Sequence, residues 1–239
     1  MEEIESESDC WGDFVDVLAA GVERVLLYGP PGTGKTFAAL YVGASATSER
    51  LICTEDLTAG EITGTWMPTR EGHFTWREGP AIRAWRGSDG AGGRLVLDEV
   101  DRAAGDALAT LLAVTDSRES ARWRNPETLE WVTPGPDFSV VMTSNVESLD
   151  ELAPSLLDRF AVRVHVDRPP RDALARLSAD LRDAALRGSS GPVERRVSLR
   201  SFYAFDDLRT RYGAQRAARL VFGGSGEAVL DALRIGAMA

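Results

Sequence analysis

The run Gly29-Pro30-Pro31-Gly32-Thr33-Gly34-Lys35-Thr36 constrains this chain more than any other stretch. It follows the apolar segment Val25-Leu26-Leu27-Tyr28 and precedes Phe37-Ala38-Ala39-Leu40-Tyr41-Val42. A strand, a glycine-rich turn and the start of a helix are thus laid end to end. In that setting the pattern G-x-x-x-x-G-K-[ST] is a phosphate-binding loop. Gly32 and Gly34 let the backbone curl so that successive N–H groups point at phosphate oxygens. The helix start adds partial positive charge. Lys35 is expected to reach the β- and γ-phosphates, and Thr36 to place its hydroxyl on Mg²⁺. The bland alternative is a glycine turn that binds nothing. The joint match of strand, turn, Lys and Thr argues against it.

Arg94-Leu95-Val96-Leu97-Asp98-Glu99 is the second informative stretch. Its apolar residues predict a buried strand. Its carboxylates fall at the C-terminal end, where open α/β sheets bind ligands. Asp98 is expected to hold Mg²⁺, directly or through water, and Glu99 to orient and polarise the attacking water. Strands often end in acidic loops; downstream of a phosphate-binding loop the pair carries more. A further buried strand runs through Phe138-Ser139-Val140-Val141-Met142-Thr143 and ends in Ser144-Asn145. Asn145 is placed to bring its amide near a γ-phosphate and a water, or else is a strand-end turn residue.

The chain has 239 residues and a formal charge of -10. That length suits one α/β domain with a small companion. The acidic balance disfavours non-specific attraction to phosphate backbones. Cys10 and Cys53 show neither metal nor redox spacing, so a reducing, cytoplasmic setting is expected. No apolar run approaches the ~20 residues of a membrane span. Residues 1–20 read as an acidic tail without signal-peptide character, followed by an N-terminal helix over Trp11 to Gly21. Helices are also expected over Phe37 to Ala46 and Ala81 to Arg86. Two hairpins are expected, at about 64–79 and 121–133. Trp66, Phe74 and Trp76 of the first pair across strands, or else touch a client. After Pro169-Pro170 the pattern becomes helical, with one helix expected over Asp172 to Arg187 and others to the end of the chain. His73 and His165 have no ligand partners in sequence.

These motifs together resemble the AAA+ ATPases, and among them the MoxR-like and dynein-related group. The resemblance spans about residues 20 to 235. The Walker A motif is Gly29 to Thr36, and Walker B is Leu95 to Glu99. Asp98-Glu99-Val100-Asp101-Arg102-Ala103 is similar to D-E-[IV]-x-R-A, and Asn145 to sensor 1. Leu157-Asp158-Arg159-Phe160 is similar to L-D-R-F, which implies an arginine finger at Arg159. Ser198-Leu199-Arg200 implies a sensor 2 Arg at Arg200. Gly72 to Pro80 is similar to the segment at the group's helix-2 insertion, and the second hairpin to its pre-sensor-1 insertion. The implied fold is an α/β P-loop NTPase core over 21–168, a three-layer parallel sheet, followed by an all-helical lid domain over 170–239. The implied ligands are ATP and Mg²⁺, bound by Gly29 to Thr36, Asp98 and Arg200, with Thr36 and Asp98 on the metal. Glu99, Asn145 and Arg159 are the implied catalytic residues.

An arginine finger delivered to a neighbour's nucleotide implies a ring, usually a hexamer. The expected function is a ring ATPase that remodels or assembles a protein partner. The resemblance implies a von Willebrand A-domain protein as a candidate partner. A nucleic-acid motor or restriction-type NTPase shares this core and is the alternative. Arg70, Arg77, Arg122 and Arg124 on the hairpins favour it, and the acidic balance opposes it. A third reading is a scaffold that binds ATP and turns it over slowly; Glu99 and Arg159 weigh against it. No base-reading motif separates ATP from GTP.

Overall fold

The computed structural model describes residues 9–43, 46–190 and 196–236. Most of the acidic tail expected at the N-terminus lies outside them; of a loop expected over Gly188 to Pro192 the last two residues do too, while Gly188 to Ser190 close a helix instead, continuing the turns before them. The described residues of 1–29 and 35–165 form one compact unit; those of 30–34 and 166–239 form another.

In the first unit, α1 (Cys10–Ala19) leads to β1 (Arg24–Tyr28), and α2 (Lys35–Tyr41) to β2 (Ser48–Ile52). A hairpin of β3 (Gly64–Pro68) and β4 (Phe74–Glu78) separates α3 (Ala59–Thr63) from α4 (Pro80–Arg86). Then come β5 (Arg94–Asp98), α5 (Gly105–Val114), β6 (Trp123–Arg124) and β7 (Trp131–Val132). The unit closes with β8 (Ser139–Thr143), α6 (Pro154–Arg159) and β9 (Val162–His165). The five-stranded sheet has the order β2-β5-β8-β1-β9, and every pairing in it is parallel. Parallel strands are covered on both faces, so their sequences are continuously apolar. Every residue of β5 is buried, which explains why Leu95-Val96-Leu97 shows no alternation. Each such side chain adds about 1.5–3 kcal/mol on burial. Leu26, Leu95, Leu97 and Met142 share one core with Trp85 and Phe160.

The P-loop helix is shorter than expected, ending at Tyr41. Arg94 supplies the physical reason. Its buried guanidinium donates to the carbonyls of Ala39 at 3.1 Å, Val42 at 2.6 Å and Gly43 at 2.5 Å. Those carbonyls have no further turn to receive, and a cation on them satisfies the helix end.

The second unit is helical: α7 (Arg171–Ala175), α8 (Ala179–Ser190), α9 (Leu199–Tyr212), α10 (Ala214–Phe222) and α11 (Gly226–Gly236). Leu177, Leu181, Phe202 and Phe205 centre its core. The single helix expected over Asp172 to Arg187 is broken into α7 and α8. Asp206 accepts hydrogen bonds from the Ser178 N–H at 2.8 Å and hydroxyl at 2.9 Å, where the break falls. A side chain competing for backbone groups ends a helix in this way. Among the described residues no helix is long and apolar enough to cross a membrane.

Candidate functional site

Two sequence-predicted residues meet where the sheet ends, and two others join them. Thr36, in the first turn of α2, donates its hydroxyl to Asp98 Oδ1 at 2.7 Å. Asp98 closes β5, and Thr143, closing β8 beside it, donates to the same oxygen at 2.5 Å. Arg50 of β2 takes the other oxygen: its Nε lies 3.2 Å from Oδ2, and its Nη2 also donates there. Burial pushes the Asp98 carboxyl up, but hydrogen bonds from Thr143, Arg50 and Thr36 outweigh it and hold the group below the usual carboxylate range. A buried carboxylate kept ionised beside a threonine hydroxyl is a hard oxygen pair, of the kind that suits Mg²⁺.

Lys35 is buried, and its Nζ donates to the Gly29 carbonyl at 2.8 Å. Burial pushes its ammonium down to about 8, against the upward pull of Asp101, Asp98 and Glu99. A polyphosphate beside it would favour the charged form again. The residues present therefore fit a nucleotide with its metal.

Glu99 follows in a left-handed conformation, with φ 57° and ψ 47°. For a non-glycine residue such geometry costs about 1 kcal/mol or more. Its backbone N–H donates to Thr143 Oγ1 at 3.2 Å, which ties the turn to β8. Its carboxylate pairs with Arg102 Nε at 3.0 Å, and Asn145 Nδ2 stands 3.5 Å from its other oxygen. Asp101 accepts from the Ser144 hydroxyl at 2.7 Å and the Asn145 N–H at 3.2 Å, so it anchors the segment that carries Asn145.

Arg159 ends α6 elsewhere in the same unit. Its Nε donates to the Leu112 carbonyl at 3.1 Å and its Nη1 to Ser155 at 3.4 Å, and Asp116 lies 3.7 Å away. Those partners are not the acids at the end of β5. In the second unit, Thr33 donates to the Pro30 carbonyl at 3.1 Å and closes the glycine turn. Gly32 has φ +83°, and a Cβ built there would stand 2.7 Å from Ser198 Cβ. Any side chain would therefore be both strained and obstructed. Gly34 has φ +99° and lies against Pro170. Pro31 is exposed. Arg200 is exposed in the first turn of α9, whose N-cap is that same Ser198.

Sequence reasoning missed Arg50, Thr143 and Asp101 as members of the cluster. Thr143 and Asp101 lie within motifs already singled out. Arg50 had no signal, because a polar residue within an edge strand is ordinary.

A parallel sheet with a glycine turn after its first strand, and acids at the end of a buried strand, defines a P-loop nucleotide-binding protein. Residues 24–160 match the AAA domain of the dynein-related subfamily, and the chain belongs to that family. It is accordingly an ATPase by class. Among curated proteins nothing matches the chain. It is similar to a solved structure of a candidate ATPase from Cytophaga hutchinsonii, at 17% identity and a TM-score of 0.49. That likeness covers 91% of this chain and 66% of the other, just under two thirds.

Proposed function

We propose that the chain is a Mg²⁺-dependent ATPase subunit of a ring, MoxR-like in type, that remodels or assembles a protein partner. The observation that carries this reading is the strand-end cluster, with Thr36 on Asp98 and Glu99 beside Asn145. The loop from Gly29 to Gly34 and Lys35 would hold the triphosphate, and Thr36 and Asp98 would hold Mg²⁺. When bound, the metal neutralises charge on the phosphate oxygens. Glu99 orients a water and takes its proton, and Asn145 positions that water. Arg200 would sense the nucleotide from α9.

Arg159 completes a neighbour's site in this proposal, so the working form is an oligomer, a hexamer by resemblance. The β3–β4 hairpin, lying between α3 and α4, is read as the helix-2 insertion. A von Willebrand A-domain protein is the partner class that the resemblance suggests. Cys10 and Cys53 are buried, and the cytoplasmic setting of this reading would keep both as thiols.

Turnover per subunit should rise with protein concentration. Arg159→Ala should lower it about 10³-fold or more with ATP binding retained. A rate in the monomer that does not change with concentration would sink the ring reading. A second reading, a nucleic-acid motor, is favoured by exposed Arg70, Arg77, Arg122 and Arg124 on the two hairpin segments. Stimulation of turnover by DNA or RNA, falling steeply with salt, would move the assignment there.

A further inference from the structure

We infer that Arg50 is a positioning residue for the metal site: it fixes which oxygen of Asp98 faces Thr36. The inference rests on the reading of Asp98 as a residue that serves bound Mg²⁺. It goes beyond that reading by giving a role to a residue on the edge strand.

Register makes the contact possible. On parallel strands β2 and β5, Ile52 pairs with Asp98 and Arg50 with Val96. Arg50 therefore shares a face with Asp98 but sits two residues further back along its strand. A diagonal of about 7–8 Å between such neighbours is within reach of a long side chain only. The guanidinium meets Oδ2 through both Nε and Nη2, while the hydroxyls of Thr36 and Thr143 meet Oδ1. The two carboxylate oxygens are thus divided between two kinds of donor. The Asp98 side chain is 6% exposed and that of Arg50 43%. The acid is locked inside, and the arginine reaches in from the rim. Without Arg50, Oδ2 loses its donors in a buried setting, and the carboxylate is released to turn Oδ1 away from Thr36. Outer partners of metal-binding groups typically act in this way.

An ordinary inter-strand ion pair would affect folding stability and nothing else. The separating measurement is the Mg²⁺ concentration for half-maximal binding of a fluorescent ATP analogue to the full chain. Thermal unfolding is followed in parallel. Arg50→Met should raise that Mg²⁺ concentration about tenfold, with binding in EDTA unchanged. Arg50→Lys should recover only part of the shift, because an ammonium lacks the two-point geometry. Asp98→Asn should shift it at least as far, and adding Arg50→Met to Asp98→Asn should shift it no further. If Arg50→Met does not fold, Arg50→Gln replaces it with the same expected outcome. A titration superimposed on that of the unaltered protein, while Asp98→Asn shifts, overturns the role of Arg50. If Asp98→Asn does not shift either, the metal reading of Asp98 fails first.

Discussion

The ends of β5 and β8 and the two hairpins belong to one unit, yet different side-chain contacts dominate in each. At the strand ends, Thr143 bonds Asp98 at 2.5 Å and Ser144 bonds Asp101 at 2.7 Å, with Asp98, Thr143 and Ser144 buried. In the hairpins, beyond the backbone ladders and the turn that Asn125 closes by accepting from the Glu127 and Thr128 N–H groups, the contacts are between rings. Trp66 meets Trp76 edge-on at 5.6 Å, and Trp76 meets Trp123 of the other hairpin at 5.6 Å. Phe74 and Trp131 are 66% and 65% exposed. Directional bonds in a low-dielectric site tolerate few substitutions, because a lost partner strands a buried polar group. Ring contacts are broad and less directional, so the hairpins can change residue and keep their shape. Under the proposed function the strand ends are the seat of the chemistry, and the hairpins are the surface left to adapt to a partner.

The largest expected effect tests the rigid side. Glu99→Gln should lower turnover by about 10²–10⁴-fold and leave ATP binding in place. Unchanged turnover would remove Glu99 from the chemistry and with it the contrast between the regions.

A pH measurement sharpens the same side. Lys35 titrates at about 8 when folded, against 10.5 as its ordinary value. Between those values the unfolded chain keeps a proton that the folded one has lost, so this group's contribution to stability improves as pH rises. Its cost is fully present below about pH 8 and is relieved by pH 10.5. The stability gain of Lys35→Met over the native chain should therefore shrink across that window in denaturant titrations. A gain that stays constant with pH would show that Lys35 is not buried as a strained cation.

The hairpins should respond more weakly. Trp76→Ala removes the ring shared by both hairpins and should cost about 1–2 kcal/mol in chemical denaturation, with basal turnover kept. Its Nε1 is buried with no acceptor, so Trp76→Phe should cost less than Trp76→Ala. Trp131→Ser, at an exposed ring, should change stability by no more than about 0.5 kcal/mol. A loss of several kcal/mol at Trp131 would mean that the hairpins are as tightly specified as the strand ends.

Much of the site was legible before any coordinates. Gly29 to Thr36 is continuous, and its spacing maps directly onto strand, turn and helix. Asp98 and Asn145 were visible because buried parallel strands are apolar runs, and the residue that ends such a run stands out. The hairpins were legible through alternating aromatics around a Gly72 turn. Helix ends were less so, because Arg94 and Asp206, which meet the chain where α2 ends and where α7 breaks from α8, lie 51 residues downstream of Gly43 and 28 from Ser178 respectively.

By itself, then, the sequence determined the phosphate loop, the acids at the end of β5, the apolar strands and the helical C-terminal part. Those features are written in residues a few positions apart, and local backbone geometry converts spacing into placement. Only the tertiary structure decided that Arg50 holds Asp98 across 48 residues, and that Arg159 rests on Leu112, 47 residues away. It also decided that Trp76 meets Trp123. Such contacts depend on strand order and register, which the packing of the whole core selects and no short pattern encodes.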